Sequence, residues 1–334
     1  MAVSVALRAV AHYLPQRTVK VAELPELAEL PATEAETCLG LGIDEIRADD
    51  LSATELAAGA ASRALAEAGL SPDELDALIV IDARSPETLM SSEATRLQAR
   101  LGARRAVTFS VGGLGCASIS PALLAARGLL AADDSVDNVL IAHGSKPATP
   151  RRYRHPVTVS GDGGQAVLVS RHGPLRLLDV VQRTNGAYWD LFAVDYRDRP
   201  SAEWREECAD VHGYSFKLAI ETRNQLRELH RTLLDRNGMR PADVGCHLSQ
   251  NLSLGSLRFT EETLGVELSG VCADNLRRYG HLGPSDVLLN LMSAIESGDL
   301  AEGQRGLLYN VSPVAAWSLL LVEHGDGGGT SHYL

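Results

Sequence analysis

The stretch Val111-Gly112-Gly113-Leu114-Gly115-Cys116-Ala117-Ser118-Ile119-Ser120 decides how this chain is read. Just before it, Ala106-Val107-Thr108-Phe109-Ser110 predicts a strand from its apolar and β-branched residues. After it, Ile119–Leu130 predicts a long apolar helix. Cys116 therefore stands where a buried strand turns into a buried helix. The free N–H groups and the dipole at a helix N-terminus favour a thiolate and lower a thiol's pKa. Small neighbours let a substrate carbonyl approach the sulfur. A small cysteine merely filling a tight turn would show the same local pattern.

Working outward, the 334 residues suffice for a large core in two similar halves. A net charge of −12 argues against general binding to nucleic acid or an anionic membrane. The five cysteines, Cys38, Cys116, Cys208, Cys246 and Cys272, are scattered and show no CxxC spacing. That pattern suits reduced thiols in a cytosol and neither a disulfide frame nor a metal site. The N-terminus is too short in apolar residues for a signal peptide, and no later run is expected to span a bilayer. The expectation is a soluble cytoplasmic protein.

Upstream of Cys116, Val3–Val10 alternates like an edge strand and Glu23–Gly40 reads as an acidic, helical stretch. Ser52–Gly69 carries a capping box, Ser52 with Glu55, and a glycine stop. Leu75–Asp82 is a continuous apolar run, read as a buried strand. Downstream come a strand at Val136–Ala142, the basic cluster Arg151-Arg152-Tyr153-Arg154, and Thr158–Val169 around Gly161-Asp162-Gly163-Gly164. Pro174–Val181 opens a second half. Thr184–Pro200, holding Tyr188, Trp189 and Phe192, reads as a pocket-lining loop. Asp243–Asn251, Arg305–Val311 and Trp317–Glu323 read as strands, and Gly325–Leu334 as a frayed tail. Each half repeats strand, helix, strand, active turn, long helix and two strands, which predicts largely parallel sheets covered on both faces. Residues 1–172 and 173–334 are taken as the two units.

These stretches resemble, in the same order, the ketoacyl synthase III branch of the thiolase superfamily. The resemblance implies a five-layer αβαβα fold and a homodimer, with Cys116 as nucleophile. It places Met90 where a side chain closes the partner's acyl pocket, though Met90 could equally be core. It places Arg154 at an arginine near the mouth that contacts coenzyme A, which suits a phosphopantetheine phosphate. The family's tryptophan and arginine for the coenzyme A adenine fall at Glu36 and Gly40, which weakens the case for free coenzyme A as donor.

The synthases add a histidine from a Pro-His-Gln/Asn-x-Asn turn and an asparagine from a Gly-Asn-Thr-Ser turn. Here the first turn reads Cys246-His247-Leu248-Ser249-Gln250-Asn251, which sets Gln250 at the histidine position; a shifted alignment would bring in His247. The second turn reads Tyr279-Gly280-His281-Leu282-Gly283-Pro284-Ser285-Asp286, with His281 at the asparagine position. Amide and imidazole have exchanged places. His281 is then the base for Cys116. Asp286 orients that ring or caps the next helix. Gln250 or Asn251 donates to the oxyanion together with the Cys116 N–H. The family's last glycine-rich turn is here Ser312-Pro313-Val314-Ala315, where Pro313 lacks an N–H but Val314 keeps one as a pocket wall.

Acylating the thiol needs a thiolate, a base and an oxyanion hole, whereas decarboxylative condensation leans on the two exchanged donors. The expectation is therefore an acyltransferase of the type found in polyketide tailoring. It would take an acyl group from a coenzyme A or acyl-carrier-protein thioester and pass it to a small-molecule hydroxyl, an amine or a carrier. The alternatives are a decarboxylating synthase forming a carbon–carbon bond, or a non-catalytic partner subunit. No cofactor is expected beyond the thioester substrate itself.

Overall fold

The computed structural model describes residues 5–325; the tail from residue 326 and the first four residues lie outside them, and with them most of the stretch read as frayed. The first half begins with β1 (Ala6–Tyr13), β2 (Thr18–Lys20), α1 (Ala32–Leu39) and β3 (Glu45–Arg47). It continues through α2 (Ala53–Ala68), β4 (Ala77–Ile81), α3 (Glu93–Leu101), β5 (Val107–Val111) and α4 (Ile119–Ala132). It closes with β6 (Val139–Ser145), the short pair β7 (Tyr153–Arg154) and β8 (Thr158–Val159), and β9 (Gly163–Ser170). The second half holds β10 (Leu175–Thr184), β11 (Phe192–Val194), β12 (Glu206–Cys208), α5 (Ala219–Arg236) and β13 (Cys246–Ser249). It ends with α6 (Leu254–Leu264), α7 (Val271–Tyr279), α8 (Asp286–Ser297), β14 (Arg305–Ser312) and β15 (Ala316–His324).

Helix α2 starts where the capping box predicts: Ser52 accepts from the Glu55 N–H, Glu55 returns to the Ser52 N–H, and Gly69 stops the helix in the left-handed region. Its Ala57, Ala60, Ala61 and Ala64 press on the sheet with only methyl groups. A Cβ on Gly164 of β9 would lie 1.9 Å from the Leu56 carbonyl, so that contact depends on glycine. Strand β4 shows the period of two directly. Leu78 and Val80 join the alanine-rich layer under α2, while Ile79 and Ile81 join the larger core with Ile119 and Leu123 of α4.

Nine strands form one sheet in the order β13-β14-β15-β10-β1-β9-β6-β4-β5. The expectation of largely parallel sheets is corrected. Parallel pairing joins β4 to β5 and to β6, and β13 to β14. Strand β1 runs antiparallel to β9 and β10, β9 to β6, and β15 to β10 and β14. A continuous apolar run reports that both faces are covered and is silent on strand direction. Because β1 pairs with the last strand of one half and the first of the other, the two halves share a sheet.

Helices α2 and α3 cover the outer face of the first half, and α5 covers β10 and β15 of the second. Helix α4 lies on β4, β6 and β9 and reaches β10; α8 lies on β13 and β14 and reaches β1. The layers thus run helix, sheet, helix, sheet, helix. Trp317 of β15 is fully buried and donates its indole N–H to Thr222 Oγ1 of α5 at 3.0 Å. The stretch Gly115–Ala132 is long and apolar enough, with mean hydropathy 1.4, to pass as a bilayer span, against the expectation that no such run exists. Its apolarity serves the core, where Ile119, Leu123, Ala126 and Leu130 are fully buried. The two central helices α4 and α8 begin side by side, and the site lies at their N-termini.

Candidate active site

Cys116 occupies a single 3-10 turn, Gly115–Ala117, between β5 and α4. Gly115 has φ of +53°, and a Cβ there would stand 2.7 Å from Ser312 Oγ, so glycine alone brings the turn this close to β14. Cys116 is buried at 1% exposure. Its Sγ lies 2.9 Å from His281 Nε2.

His281 is held by its backbone as firmly as by its ring. Its N–H donates to the Val159 carbonyl at 2.9 Å, and its carbonyl accepts from Gly161 N–H at 3.0 Å. The preceding Gly280 turns the chain into this pairing at φ +60°. His281 Nδ1 lies 2.5 Å from Asp286 Oδ2, and Asp286 is the first residue of α8. The carboxylate has further donors: Leu282 N–H at 2.7 Å on Oδ1 and Asn251 N–H at 2.9 Å on Oδ2. Asp286 therefore presents an acceptor to Nδ1–H and leaves Nε2 to face the sulfur, which fixes the tautomer.

The charges support one another. Burial by itself would push the Cys116 thiol up, but His281 and then Arg84 and Arg154 outweigh it and hold it at about 7, below the ordinary thiol value. Burial would likewise favour neutral His281, but the Cys116 thiolate and the Asp286 carboxylate lift it to about 9. Above about pH 7 and below about 9 the pair is thiolate and imidazolium.

Above the sulfur opens a cavity of about 280 Å3. Arg84, His143, Arg154, Glu206 and Val314 line it with Cys116. Glu206 of β12 lies between two guanidinium groups: Arg84 Nη1 is 2.8 Å from Oε2, and Arg154 Nε is 2.6 Å from Oε1. The Arg154 guanidinium also sits 4.4 Å from the centre of the Phe192 ring. His143, at the end of β6, has its Nδ1 3.1 Å from the Ile81 carbonyl. Burial pushes its pKa down to about 4, so the ring is neutral, donates through Nδ1–H and presents Nε2 as a lone pair.

Cys116, His281 and Asp286 come together as the sequence predicts, and Val314 lines the same cavity. The other expected residues stand elsewhere. Gln250 turns its side chain to the Val311 backbone, accepting from its N–H at 2.8 Å and donating to its carbonyl. Anchored in this way, Gln250 lines the second cavity and not the one over the sulfur. Asn251 is fully buried, and its side-chain oxygen accepts from Asn290 at 2.9 Å. Its contribution to the site is the backbone N–H on Asp286. Arg154 is enclosed at 5% exposure, held by Glu206 and Phe192, and is not turned outward toward a phosphate. Met90 is fully exposed, so the core reading of it is wrong. His247 stays inside β13, with Nδ1 2.8 Å from the Tyr309 hydroxyl, remote from the cavity lining.

Of the loop Thr184–Pro200, Phe192, Ala193 and Val194 line the cavity, while Trp189 is exposed. Sequence reasoning missed Arg84, His143 and Glu206. A polar His143 directly after the predicted apolar strand Val136–Ala142 is the one available signal. The segment 311–314 also divides two spaces. Ser312 and Val314 face the reactive cavity, while Val311 and Pro313 line a second one of about 520 Å3 with Tyr214 and Phe259.

Residues 234–324 match the family model described as the C terminal of 3-oxoacyl-[acyl-carrier-protein] synthase III. In this C-terminal stretch the chain resembles the ketoacyl synthase III proteins. The β-ketoacyl-[acyl-carrier-protein] synthase III of Cereibacter sphaeroides ATCC 17025 is 28% identical over 97% of this chain and 100% of its own. That of Campylobacter jejuni RM1221 is 24% identical over 96% of this chain and 97% of its own. Among solved structures, the acyltransferase ChlB3 superposes with a TM-score of 0.80 at 22% identity, covering 97% of this chain and 98% of its own. The FabH of Pseudomonas aeruginosa PAO1 gives 0.77 at 20%, over 96% and 98%. The OleA of Xanthomonas campestris gives 0.77 at 18%, over 97% and 100%. These likenesses establish the thiolase fold.

Proposed function

We propose that this protein is an acyltransferase that carries an acyl group from a coenzyme A or acyl-carrier-protein thioester, through a Cys116 acyl-enzyme, to a hydroxyl, an amine or a carrier thiol. The observation that carries this reading is the buried line Cys116–His281–Asp286 beneath an open cavity. In the first step the Cys116 thiolate attacks the thioester carbon. The bond from that carbon to the donor sulfur breaks, and the leaving thiolate takes the proton of the His281 imidazolium. Neutral His281, oriented by Asp286, then removes the proton of the acceptor as it attacks the acyl-enzyme, and keeps it while Cys116 leaves as thiolate, which restores the starting pair. The backbone N–H groups of Cys116 and Val314 are the oxyanion donors in this reading.

The names of the relatives fit a thioester donor. The Cereibacter and Campylobacter proteins are named for an acyl carrier protein, and one OleA structure holds lauroyl-CoA. Decarboxylative condensation is the less supported reading, because neither Gln250 nor Asn251 lines the cavity over the sulfur. The setting in polyketide tailoring follows from the resemblance, and the cytoplasm suits five free cysteines. A homodimer is supported by exposed Leu89, Met90 and Val107, the last on the outer sheet strand β5.

The test is intact-protein mass after mixing wild type and Cys116→Ala with a panel of acyl and malonyl thioesters. A whole-acyl adduct on wild type and none on Cys116→Ala is the expected result. Loss of carbon dioxide with a lengthened product would put condensation first.

A further inference from the structure

We infer that His143 is a second contact for the acyl acceptor: its Nε2 takes a hydrogen bond from an O–H or N–H that the acceptor carries beside its attacking atom. The acceptor is then a vicinal diol, an amino alcohol or another nucleophile with a second donor, and not a group with one donor alone. This deepens the acyltransferase reading and rests on it for the acyl-enzyme.

His143 lies at the end of β6, where it pairs with Ile81 of β4. The Ile81 carbonyl can only accept, so Nδ1, 3.1 Å from it, carries the proton. A neutral ring then has its lone pair on Nε2. Burial first, and then the positive charges of Arg84 and His281, keep the ring neutral, with its pKa pushed down to about 4. Nε2 has no hydrogen-bond partner among the described residues, yet it is not sealed off as the unpartnered Ser312 Oγ is. His143 lines the cavity over Cys116 together with Gly283 of the His281 turn. A Cβ on Gly283 would stand 3.6 Å from Nε2, so the glycine leaves that side of the lone pair bare.

Two lone pairs therefore meet the second step. In the acyl-enzyme His281 is neutral, and its Nε2 takes the proton of the attacking atom. His143 is too weak a base to take a proton at neutral pH, but it holds one well in a hydrogen bond. The charged groups of the lining do not compete for that donor. Glu206 is engaged by both Arg84 and Arg154, and the two guanidinium groups and Lys146 only donate. Asp82 is an acceptor, but an exposed one. The step balances without a further reactant. The acceptor oxygen or nitrogen bonds to the acyl carbon, the bond from that carbon to Cys116 Sγ breaks, and the proton stays on His281.

The test loads Cys116 from a panel of thioesters and, separately, from p-nitrophenyl acetate, and follows transfer by peptide and product mass. Ethane-1,2-diol is compared with 2-methoxyethanol, which keeps an attacking hydroxyl and lacks the second donor. The paired hydroxyls of the diol give a rate ratio of about two by count alone, and one added hydrogen bond should raise it about fivefold to tenfold further. The ratio is taken on one acyl-enzyme, so altered loading cancels. It should return to the count value in His143→Asn, whose amide still reaches the Ile81 carbonyl, and in His143→Phe, which keeps the ring's volume. His143→Gln, with an amide oxygen near the place of Nε2, should recover part of the gain. A wild-type ratio at the count value, or a wild-type ratio kept in a folded His143→Asn or His143→Phe, overturns the contact. The pantetheine arm of a carrier has an amide N–H beside its thiol, so N-acetylcysteamine is run against its N-methyl amide. A His143-dependent ratio in that pair alone keeps the contact and assigns the acceptor to a carrier. A raised diol ratio on ester-loaded enzyme, with no loading from any thioester, keeps the contact and removes the thioester donor. No acyl group on Cys116 from either source removes both.

Discussion

Asn251 meets Asp286 through its peptide N–H, 2.9 Å from Oδ2, while its side-chain amide turns away to Asn290. The first-half nucleophile is thus tuned by a second-half backbone. The turn after β13 holds the carboxylate, the carboxylate holds His281, and His281 holds the sulfur. A position expected to act on substrate acts on the base instead.

Replacing Asp286 by Asn should cost the relay its orientation. The amide keeps an oxygen for Leu282 N–H but can offer NH2 where Nδ1–H needs an acceptor. Acylation of Cys116 should slow by about 10²–10⁴-fold. The alkylation pH profile should move upward as well, because a less basic His281 stabilises the thiolate less. A rate and profile like wild type would remove Asp286 from the site and leave it a helix cap.

The thiolate–imidazolium pair sets the pH dependence of reactivity. With the thiol lowered to about 7, iodoacetamide alkylation at Cys116 should rise with pH through about 7 and then level off. His281, raised to about 9, keeps its proton across that plateau. The sign follows: acid removes reactivity by protonating sulfur, and no further gain comes until His281 deprotonates. Stopped-flow or quenched alkylation from pH 5 to 10 reads it. A single rise near the ordinary thiol value would contradict the pair.

Gln250→Ala should act on stability more than on chemistry. It strands the Val311 N–H and carbonyl on the wall between the two cavities, at a cost of about 1–3 kcal/mol. Thermal unfolding should fall by a few degrees. The alkylation rate of Cys116 should stay within about twofold of wild type, since the amide does not reach the sulfur. A large loss of alkylation or acylation with an unchanged melting temperature would restore Gln250 as a donor to the reacting group.

Gly115→Ala tests the nucleophile turn. The added methyl meets Ser312 Oγ at 2.7 Å in a backbone conformation at φ +53°. The turn must shift, and with it the 2.9 Å approach of Cys116 to His281. The expected outcome is a folded protein by circular dichroism with acylation reduced at least about a hundredfold.

The parts of the site announced by chain punctuation were legible in advance. Cys116 between small residues, His281 after Gly280, and Asp286 opening an apolar run all mark places where a turn feeds a helix. Arg84 and Glu206 carried no such mark. Arg84 sits in Asp82-Ala83-Arg84-Ser85-Pro86 like any solvated turn residue, and Glu206 sits in an acidic run beside Glu203 and Glu207. Their meaning arises only when β11 and β12 fold over the cavity and bring them within 2.8 Å. Gln250 shows a different limit. Its position in the turn could be found from sequence, but its partner on β14, Val311, could not. Strand direction was missed for a physical reason too, since apolar runs record burial and not orientation.

The place of β1 bears on how the chain reaches this state. The first strand among the described residues is the one in the middle: Ala11 pairs with Ala166, and Ala6 also with Arg176. Its hydrogen-bonding edges stay open until most of the first half has been synthesised and the second has begun. Long-range closure of that kind slows folding and leaves a sticky apolar edge exposed meanwhile. A break engineered after residue 172 would therefore leave an unpaired edge on β1 in one fragment and on β10 in the other until the two fragments meet.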